Sequence, residues 1–205
     1  MNLWFCLYFM SMKVSVFFFV CLMFVCACTG RKQQVADEIK VLQAKEIQIP
    51  SKLPVMKRGE KVADFEGGNP KGLKLVVYAD SVGCTACAIN HIDTWSSLVD
   101  YAKGFSGRLK FYFIFSPMKR EVRSTELLIA NTNFDYPILI DTLGEFERLN
   151  PHLPKNQALH TFLLDENNRV ILVGNPLHNK KIKEMFYKIV EEKLGKPGEV
   201  AVKEN

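Results

Sequence analysis

The order of apolar and polar positions predicts alternating strands and helices from residue 73 onward. Leu73–Ala79 is the first strongly apolar run, and it is short enough for a buried strand. Residues 84–102 carry apolar side chains at helical spacing, so we predict one helix that begins at a cysteine pair. Three elements follow: a strand at Leu109–Phe115, an amphipathic helix at residues 121–130 and a short strand at residues 136–140. This β-α-β-α-β order favours parallel strand pairing.

The second half of the chain predicts a helical turn, a hairpin and a closing helix. The helical turn falls at residues 144–149. Strands at residues 159–164 and 170–174 flank a turn-forming segment, residues 165–169, and this arrangement is typical of a hairpin. Lys180–Leu194 places its apolar side chains on one helical face, as a helix that covers a sheet does. We therefore predict an α/β domain with a central mixed sheet flanked by helices.

The first 27 residues have the pattern of a signal peptide. Lys13 is the only charged residue before Arg31, and residues 14–25 are almost wholly apolar. The run ends in Val25-Cys26-Ala27-Cys28, which resembles the small residues and cysteine that lipoprotein signal peptidases accept. We predict three segments: a signal peptide at residues 1–27, a lipid-anchored tether at residues 28–45 that begins with the lipid-bearing Cys28, and a domain at residues 46–205.

An uncleaved membrane helix is the alternative interpretation of this segment. Residues 3–27 are long enough to span a bilayer, although Lys13 would then sit near the middle of the span at a considerable energetic cost. In that case Arg31 and Lys32 would favour a cytoplasmic domain. The lipoprotein interpretation is favoured, and it places the domain in the periplasm, attached to a membrane of the cell envelope.

Composition narrows the possible chemistry. Removal of residues 1–27 from the 205-residue chain leaves 178 residues, a length that suits one domain with a sizeable core. The net charge is +5, but acidic residues separate the basic ones, so no nucleic-acid-binding patch is predicted. Of the six cysteines, the mature domain keeps only Cys84 and Cys87 as free side chains. Two cysteines three positions apart are too close to form a structural disulfide framework.

The cysteine pair Cys84-Thr85-Ala86-Cys87 is the candidate for chemistry. At the start of a helix, unpaired backbone N–H groups and the helix dipole lower the pKa of a thiol, which makes Cys84 the candidate nucleophile. Cys87 lies one helical turn further on and can displace a substrate held as a mixed disulfide on Cys84. The same spacing serves zinc sites, but the chain has no second pair of this kind.

Residues 72–194 resemble the thioredoxin-like fold. The resemblance rests on the strand Leu73–Ala79 leading to the cysteine helix, on Thr161-Phe162-Leu163-Leu164-Asp165, which is similar to the family's T-F-L-I-D strand, and on the final helix. Within this fold the chain is similar to membrane-anchored thiol–disulfide oxidoreductases and redoxins of bacterial envelopes, and most of all to lipoproteins of Bacteroides-type bacteria. The resemblance implies exchange with thiols and disulfides of envelope proteins and reduction by a membrane electron-donor reductase, with no bound cofactor and no nucleic acid.

Three positions depart from the pattern of the family that the chain resembles. Gly83 stands where a tryptophan often precedes the first cysteine, and Tyr78 stands where some members have a buried acid, which leaves Asp80 or a water as a base for Cys87. Leu159 aligns with the family's cis-proline. Because cis peptide bonds are strongly disfavoured without proline, we predict a trans bond and a differently shaped substrate loop at this point.

Two histidines leave a second class of function open. The resemblance places His160 beside the cysteines, where it could tune a thiolate or bind a metal. A non-catalytic binding module, or a copper carrier that uses Cys84, Cys87 and His160 as ligands, is the alternative to an enzyme. His91 also lies on the same face of the predicted helix as the two cysteines, but an exposed helix histidine explains this placement more simply.

A peroxidase is a third possible function, and the sequence does not support it. The P-x-x-x-T-x-x-C pattern of peroxiredoxins is absent around both cysteines.

Overall fold

The computed structural model describes residues 32–62 and 72–198. The chain divides into two compact units, with the boundary between residues 40 and 41. The predicted signal peptide at residues 1–27 and the predicted lipidation site Cys28 lie outside the described residues. Among the described helices, none combines the length and the apolar content that crossing a membrane requires.

From residue 73 onward, strands and helices follow each other in the order that the sequence predicts. The described strands are β1 (Val55–Lys57), β2 (Glu60–Val62), β3 (Leu73–Ala79), β4 (Leu109–Phe115), β5 (Ile138–Ile140), β6 (Thr161–Leu164) and β7 (Val170–Val173). The described helices are α1 (residues 32–43), α2 (Thr85–Asn90), α3 (Ser96–Lys103), α4 (Val122–Ala130), α5 (Glu145–Leu149) and α6 (Lys180–Leu194). Short 3₁₀ turns lie at Ile92–Trp95, Lys119–Glu121 and Gln157–Leu159.

All seven described strands belong to one mixed sheet in the order β2-β1-β5-β4-β3-β6-β7. The centre is parallel, since β4 pairs in parallel with both β3 and β5. The antiparallel hairpin of β6 and β7 extends one side, and the hairpin of β1 and β2 extends the other. The predicted parallel centre, the β6–β7 hairpin and the closing helix are therefore confirmed.

The sheet buries an apolar layer on each face. Side chains alternate along a strand, so Phe111, Phe113 and Phe115 of β4 enter one layer while Tyr112 and Ile114 enter the other. Helices α2, α3, α4 and α6 contribute to the first layer. Helix α5 and the segment at residues 42–55 contribute to the second. The fold thus holds the carboxyl end of β3, where the cysteine pair follows, between two packed layers.

The single helix predicted at residues 84–102 is wrong in one respect, because the α-helix is interrupted after Asn90. Helix α2 ends there, a 3₁₀ turn follows, and α3 begins at Ser96. The Thr94 hydroxyl donates to the carbonyl oxygen of His91 at 2.6 Å, and the Thr94 N–H reaches the same oxygen at 3.2 Å. Such local hydrogen bonds compete with the regular helical pattern. The cysteine helix is therefore only six residues long.

Two strand predictions also need correction. The strand expected at residues 159–164 begins only at Thr161, because Leu159 lies in the 3₁₀ turn Gln157–Leu159. The hairpin of β1 and β2 has no counterpart among the predicted elements. Its turn uses positive φ angles at Arg58 and Gly59, of 50° and 78°, as a two-residue hairpin turn requires. All of β2 is exposed, so it shows no apolar pattern.

Candidate active site

Cys84 and Cys87 form a disulfide at the beginning of α2. Cys84 caps the helix, since its Sγ accepts the backbone N–H of Cys87 at 3.1 Å and its carbonyl oxygen accepts the N–H of Ala88 at 3.1 Å. Both cysteines are exposed. The bond therefore lies at the surface, where the sulfur of another protein can reach it.

Asp80 fixes the loop that leads from β3 to Cys84. Its Oδ1 accepts the N–H of Val82 at 3.1 Å, the N–H of Gly83 at 2.7 Å and the side-chain N–H of Gln157 at 2.9 Å. One carboxylate therefore orients the residue before Cys84 and joins this loop to the 3₁₀ turn at Gln157–Leu159. The sequence predicts Asp80 only as a possible base for Cys87. Its place at the start of the turn Asp80-Ser81-Val82-Gly83 was the available signal, because aspartate commonly accepts hydrogen bonds from turn N–H groups.

Gly83 occupies a crowded position. A Cβ atom built on it would lie 3.1 Å from Oε1 of Gln157 and 3.2 Å from Oδ1 of Asp80. A larger side chain would therefore require the Gln157 and Asp80 side chains to shift by a few tenths of an ångström. Glycine at this position allows the two side chains to approach the backbone closely.

Tyr78 cannot act as the missing acid. It is buried near the end of β3, and its ring centroid lies 4.8 Å from that of Phe146. Burial raises the pKa of the Tyr78 hydroxyl well above its ordinary value, and the negative charges of Glu147 and Asp80 raise it further, while Ser116 opposes the rise only in part. The phenol consequently stays protonated throughout the physiological pH range.

His160 is buried beside Tyr78, with ring centroids 5.3 Å apart. Its Nε2 lies 2.7 Å from the carbonyl oxygen of Pro154, so we assign the ring hydrogen to this nitrogen. The other nitrogen, Nδ1, is buried and has no hydrogen-bond partner among the described residues. It lies 3.9 Å from Oδ2 of Asp80. Sequence reasoning singled out His160 but had no signal for its contact with Pro154.

The topology and the position of the disulfide decide the fold. A parallel strand, a helix that starts with a bonded C-x-x-C pair and a second parallel strand form the β-α-β arrangement of thioredoxin-like redox motifs, and β6, β7 and α6 complete it. The fold is thioredoxin-like. The predicted fold class, with the cysteine pair at the start of the helix after the first parallel strand, is confirmed.

Comparison with known proteins finds distant likenesses of structure. An uncharacterized thioredoxin-like protein from Porphyromonas gingivalis has 17% identity and a TM-score of 0.44, over 73% of this chain and 94% of that one. An exposed lipoprotein thioredoxin from Streptococcus pneumoniae has 12% identity and a TM-score of 0.46, over 67% and 98%. The thioredoxin domain of a thiol-disulfide oxidoreductase from Bacteroides vulgatus has 11% identity and a TM-score of 0.40, over 70% and 99%. No family model and no curated protein matches the chain.

The three ligands of the alternative copper site are not assembled into a metal centre. Cys84 and Cys87 are bonded to each other, and Nε2 of His160 faces the carbonyl oxygen of Pro154. His91 is exposed at the end of α2. Within residues 32–62 and 72–198, no group of three or more His, Cys, Asp or Glu side chains is arranged to hold a metal ion.

Leu159, which the sequence predicts in a substrate loop, is packed inward in the 3₁₀ turn Gln157–Leu159. Its side chain is buried, and its N–H donates to the carbonyl oxygen of Asn156 at 2.9 Å. The described residues contain no cis peptide bond, so the bond between Ala158 and Leu159 is trans. A proline at this position of the thioredoxin-like fold would thus have to replace both a buried side chain and a hydrogen-bonded N–H group.

We expect Leu159→Pro to lower the free energy of unfolding by about 2–4 kcal/mol, because proline removes this N–H and much of the buried side chain. Urea denaturation measures the difference. Leu159→Met keeps the N–H and most of the volume, and it should cost less than about 1.5 kcal/mol. A proline variant as stable as the parent would show that the loop can rearrange at no cost.

Proposed function

We propose that this protein is a thiol–disulfide oxidoreductase of the cell envelope, attached to a membrane through lipid on Cys28. The observation that carries the redox part is the exposed disulfide between Cys84 and Cys87 at the start of α2. The envelope location is supported by the apolar segment that ends at Cys28.

The first step uses the reduced protein, with Cys84 as the nucleophile. The N–H of Cys87, 3.1 Å from Sγ of Cys84, is placed to donate to a thiolate at this position and thereby to stabilise it. The thiolate attacks one sulfur of a substrate disulfide. A bond forms between that sulfur and Sγ of Cys84, and the other substrate sulfur leaves as a thiolate.

The second step regenerates the disulfide observed here. The Cys87 thiolate attacks Sγ of Cys84 and releases the substrate sulfur as a thiolate, so two electrons have passed to the substrate. A dithiol of a membrane electron-donor reductase returns them by the same exchange in reverse. Cys87 is exposed, so solvent can accept its proton and a buried acid in place of Tyr78 is not required.

Capture of substrates in cells tests this proposal. In Cys87→Ser the second step is blocked, so substrates should remain bound to Cys84 as mixed disulfides. Non-reducing gels should then show adducts that disappear on reduction, and mass spectrometry should identify envelope proteins in them. The matched control is the double variant Cys84→Ser/Cys87→Ser, which should form none. Adducts made only of cytoplasmic proteins would contradict the proposed location.

The lipid anchor has its own test. We expect Cys28→Ser to release the protein from the membrane fraction or to leave it as an unprocessed precursor, because stable anchoring requires two or more acyl chains. Cell fractionation and electrophoretic mobility measure the outcome. Cys26→Ser, which changes the cysteine two positions earlier, is the control and should remain attached. Unchanged mobility and fractionation of Cys28→Ser would exclude lipidation at this residue.

A further inference from the structure

A cavity of about 300 Å³ lies next to the loop that carries the cysteine pair. Tyr78, Asp80 and His160 line it, and so does Val82, two residues before Cys84. Glu147 of α5 also lines it. The disulfide exchange proposed above uses none of these side chains to make or break a bond.

One buried polar atom in the cavity wall lacks a hydrogen bond. The His160 side chain is 6% exposed, and its Nδ1 has no partner among the described residues. Unsatisfied buried polar atoms cost free energy and are uncommon in folded proteins. A hydrogen-bond donor that enters the cavity from outside would satisfy this nitrogen.

Two atoms at the cavity, Nδ1 of His160 and Oδ2 of Asp80, are available as hydrogen-bond acceptors. Since Nε2 of His160 carries the hydrogen, Nδ1 presents a lone pair. Oδ1 of Asp80 already accepts three hydrogen bonds, but Oδ2 lies 3.9 Å from Nδ1 and faces it without a donor between them. Two acceptors at this separation can share one nitrogen about 2.9 Å from each, provided that the nitrogen bears at least two hydrogens.

Charge in the cavity favours a cation over a neutral donor. Asp80 and Glu147 are negative, and their field contributes to the raised pKa of Tyr78. Lys155 is the one cationic side chain among the described residues of the wall, and it is exposed at the rim. The carboxylates therefore outnumber the cation.

We propose that this cavity binds a lysine or arginine side chain of the substrate polypeptide, close in sequence to the cysteine that Cys84 attacks. The inference rests on the proposed oxidoreductase function. The loop from Asp80 to Cys84 both lines the cavity and carries the nucleophile, so a substrate joined to Cys84 has its neighbouring residues at the rim. Val82 is 86% exposed there and offers an apolar contact for the aliphatic part of a basic side chain.

Two disulfide-linked peptides that differ only in lysine or norleucine beside the reactive cysteine test the proposal. The two side chains share an aliphatic stem, but only lysine carries the charged donor. We expect kcat/KM for reduction by the wild-type protein to be about tenfold higher with lysine, the size of one charge-assisted hydrogen bond. Glu147→Gln should reduce this ratio to about threefold or less, because one of the two carboxylates is lost.

Glu145→Gln is the matched control. Glu145 belongs to the same helix but pairs with Arg148 at 3.0 Å and does not line the cavity, so the lysine preference should survive this change. Equal rates for the two peptides with the wild-type protein would overturn the proposal. An equal loss of preference in both glutamine variants would also overturn it, since the effect would then be one of overall charge.

A binding measurement separates this inference from the proposed activity. The lysine and norleucine peptides, each with its cysteine replaced by serine, are titrated into the oxidised protein while the ¹⁵N resonances of the His160 imidazole are followed. A saturable shift of the Nδ1 resonance with the lysine peptide alone supports the cavity even if no peptide is reduced. No shift with either peptide would mean that the cavity holds water only, whatever the protein's redox activity.

Discussion

Cys84→Ser is expected to lower the rate of insulin disulfide reduction by about a thousandfold or more, because the nucleophile is lost and a hydroxyl does not attack disulfides at neutral pH. The assay follows insulin precipitation with dithiothreitol as the electron source, above the background rate. Cys87→Ser should also lose turnover, but it should still form a mixed disulfide once, since Cys84 keeps its position at the start of α2.

The control for this experiment introduces the same hydroxyl without removing sulfur. Ala86 is exposed between the two cysteines, and Ala86→Ser should keep the rate within about twofold because surface substitutions of this kind change little. A Cys84→Ser variant that retains turnover would show that Cys87 can act alone. The order of nucleophile and resolving cysteine would then be wrong, although the disulfide itself would remain the site of chemistry.

The elements that could be predicted from the sequence are those with long apolar patterns. Leu73–Ala79, Leu109–Phe115 and Lys180–Leu194 have the bounds that their patterns predict. Each of these elements buries many side chains, so its sequence contains enough apolar residues to reveal the pattern. Strand β2 is different, because its three residues are all exposed and it is held by backbone pairing with β1 and by an ion pair between Lys61 and Glu126 at 2.8 Å.

The candidate site likewise has features that a local sequence pattern predicts and features that it does not. The cysteine spacing is local, so the sequence was sufficient to find the disulfide and to place it at a helix start. The hydrogen bond between Asp80 and Gln157 joins residues 77 positions apart, and no local pattern indicates which distant side chains meet. The crowding at Gly83 involves the same two side chains, so no local pattern in the sequence could have indicated it.

The apolar layer under the cysteine helix gives the largest expected effect on stability. Phe113 lies at the middle of β4 and is fully buried. Its ring centroid is 5.1 Å from that of Phe134, 5.6 Å from that of Trp95 and 5.9 Å from that of Tyr136. The contacts with Phe134, Trp95 and Tyr136 are near-perpendicular, an arrangement that aromatic pairs prefer. Loss of this one ring would leave a cavity that strand pairing on both sides prevents from closing.

We expect Phe113→Ala to lower the free energy of unfolding by about 3–5 kcal/mol, the range for removal of a buried aromatic side chain. Guanidinium denaturation of the oxidised protein measures it. Leu127→Ala, on the half-exposed face of α4, is the matched control and should cost no more than about 0.5 kcal/mol. If the two variants lost equal stability, the aromatic layer would contribute nothing beyond an ordinary surface position.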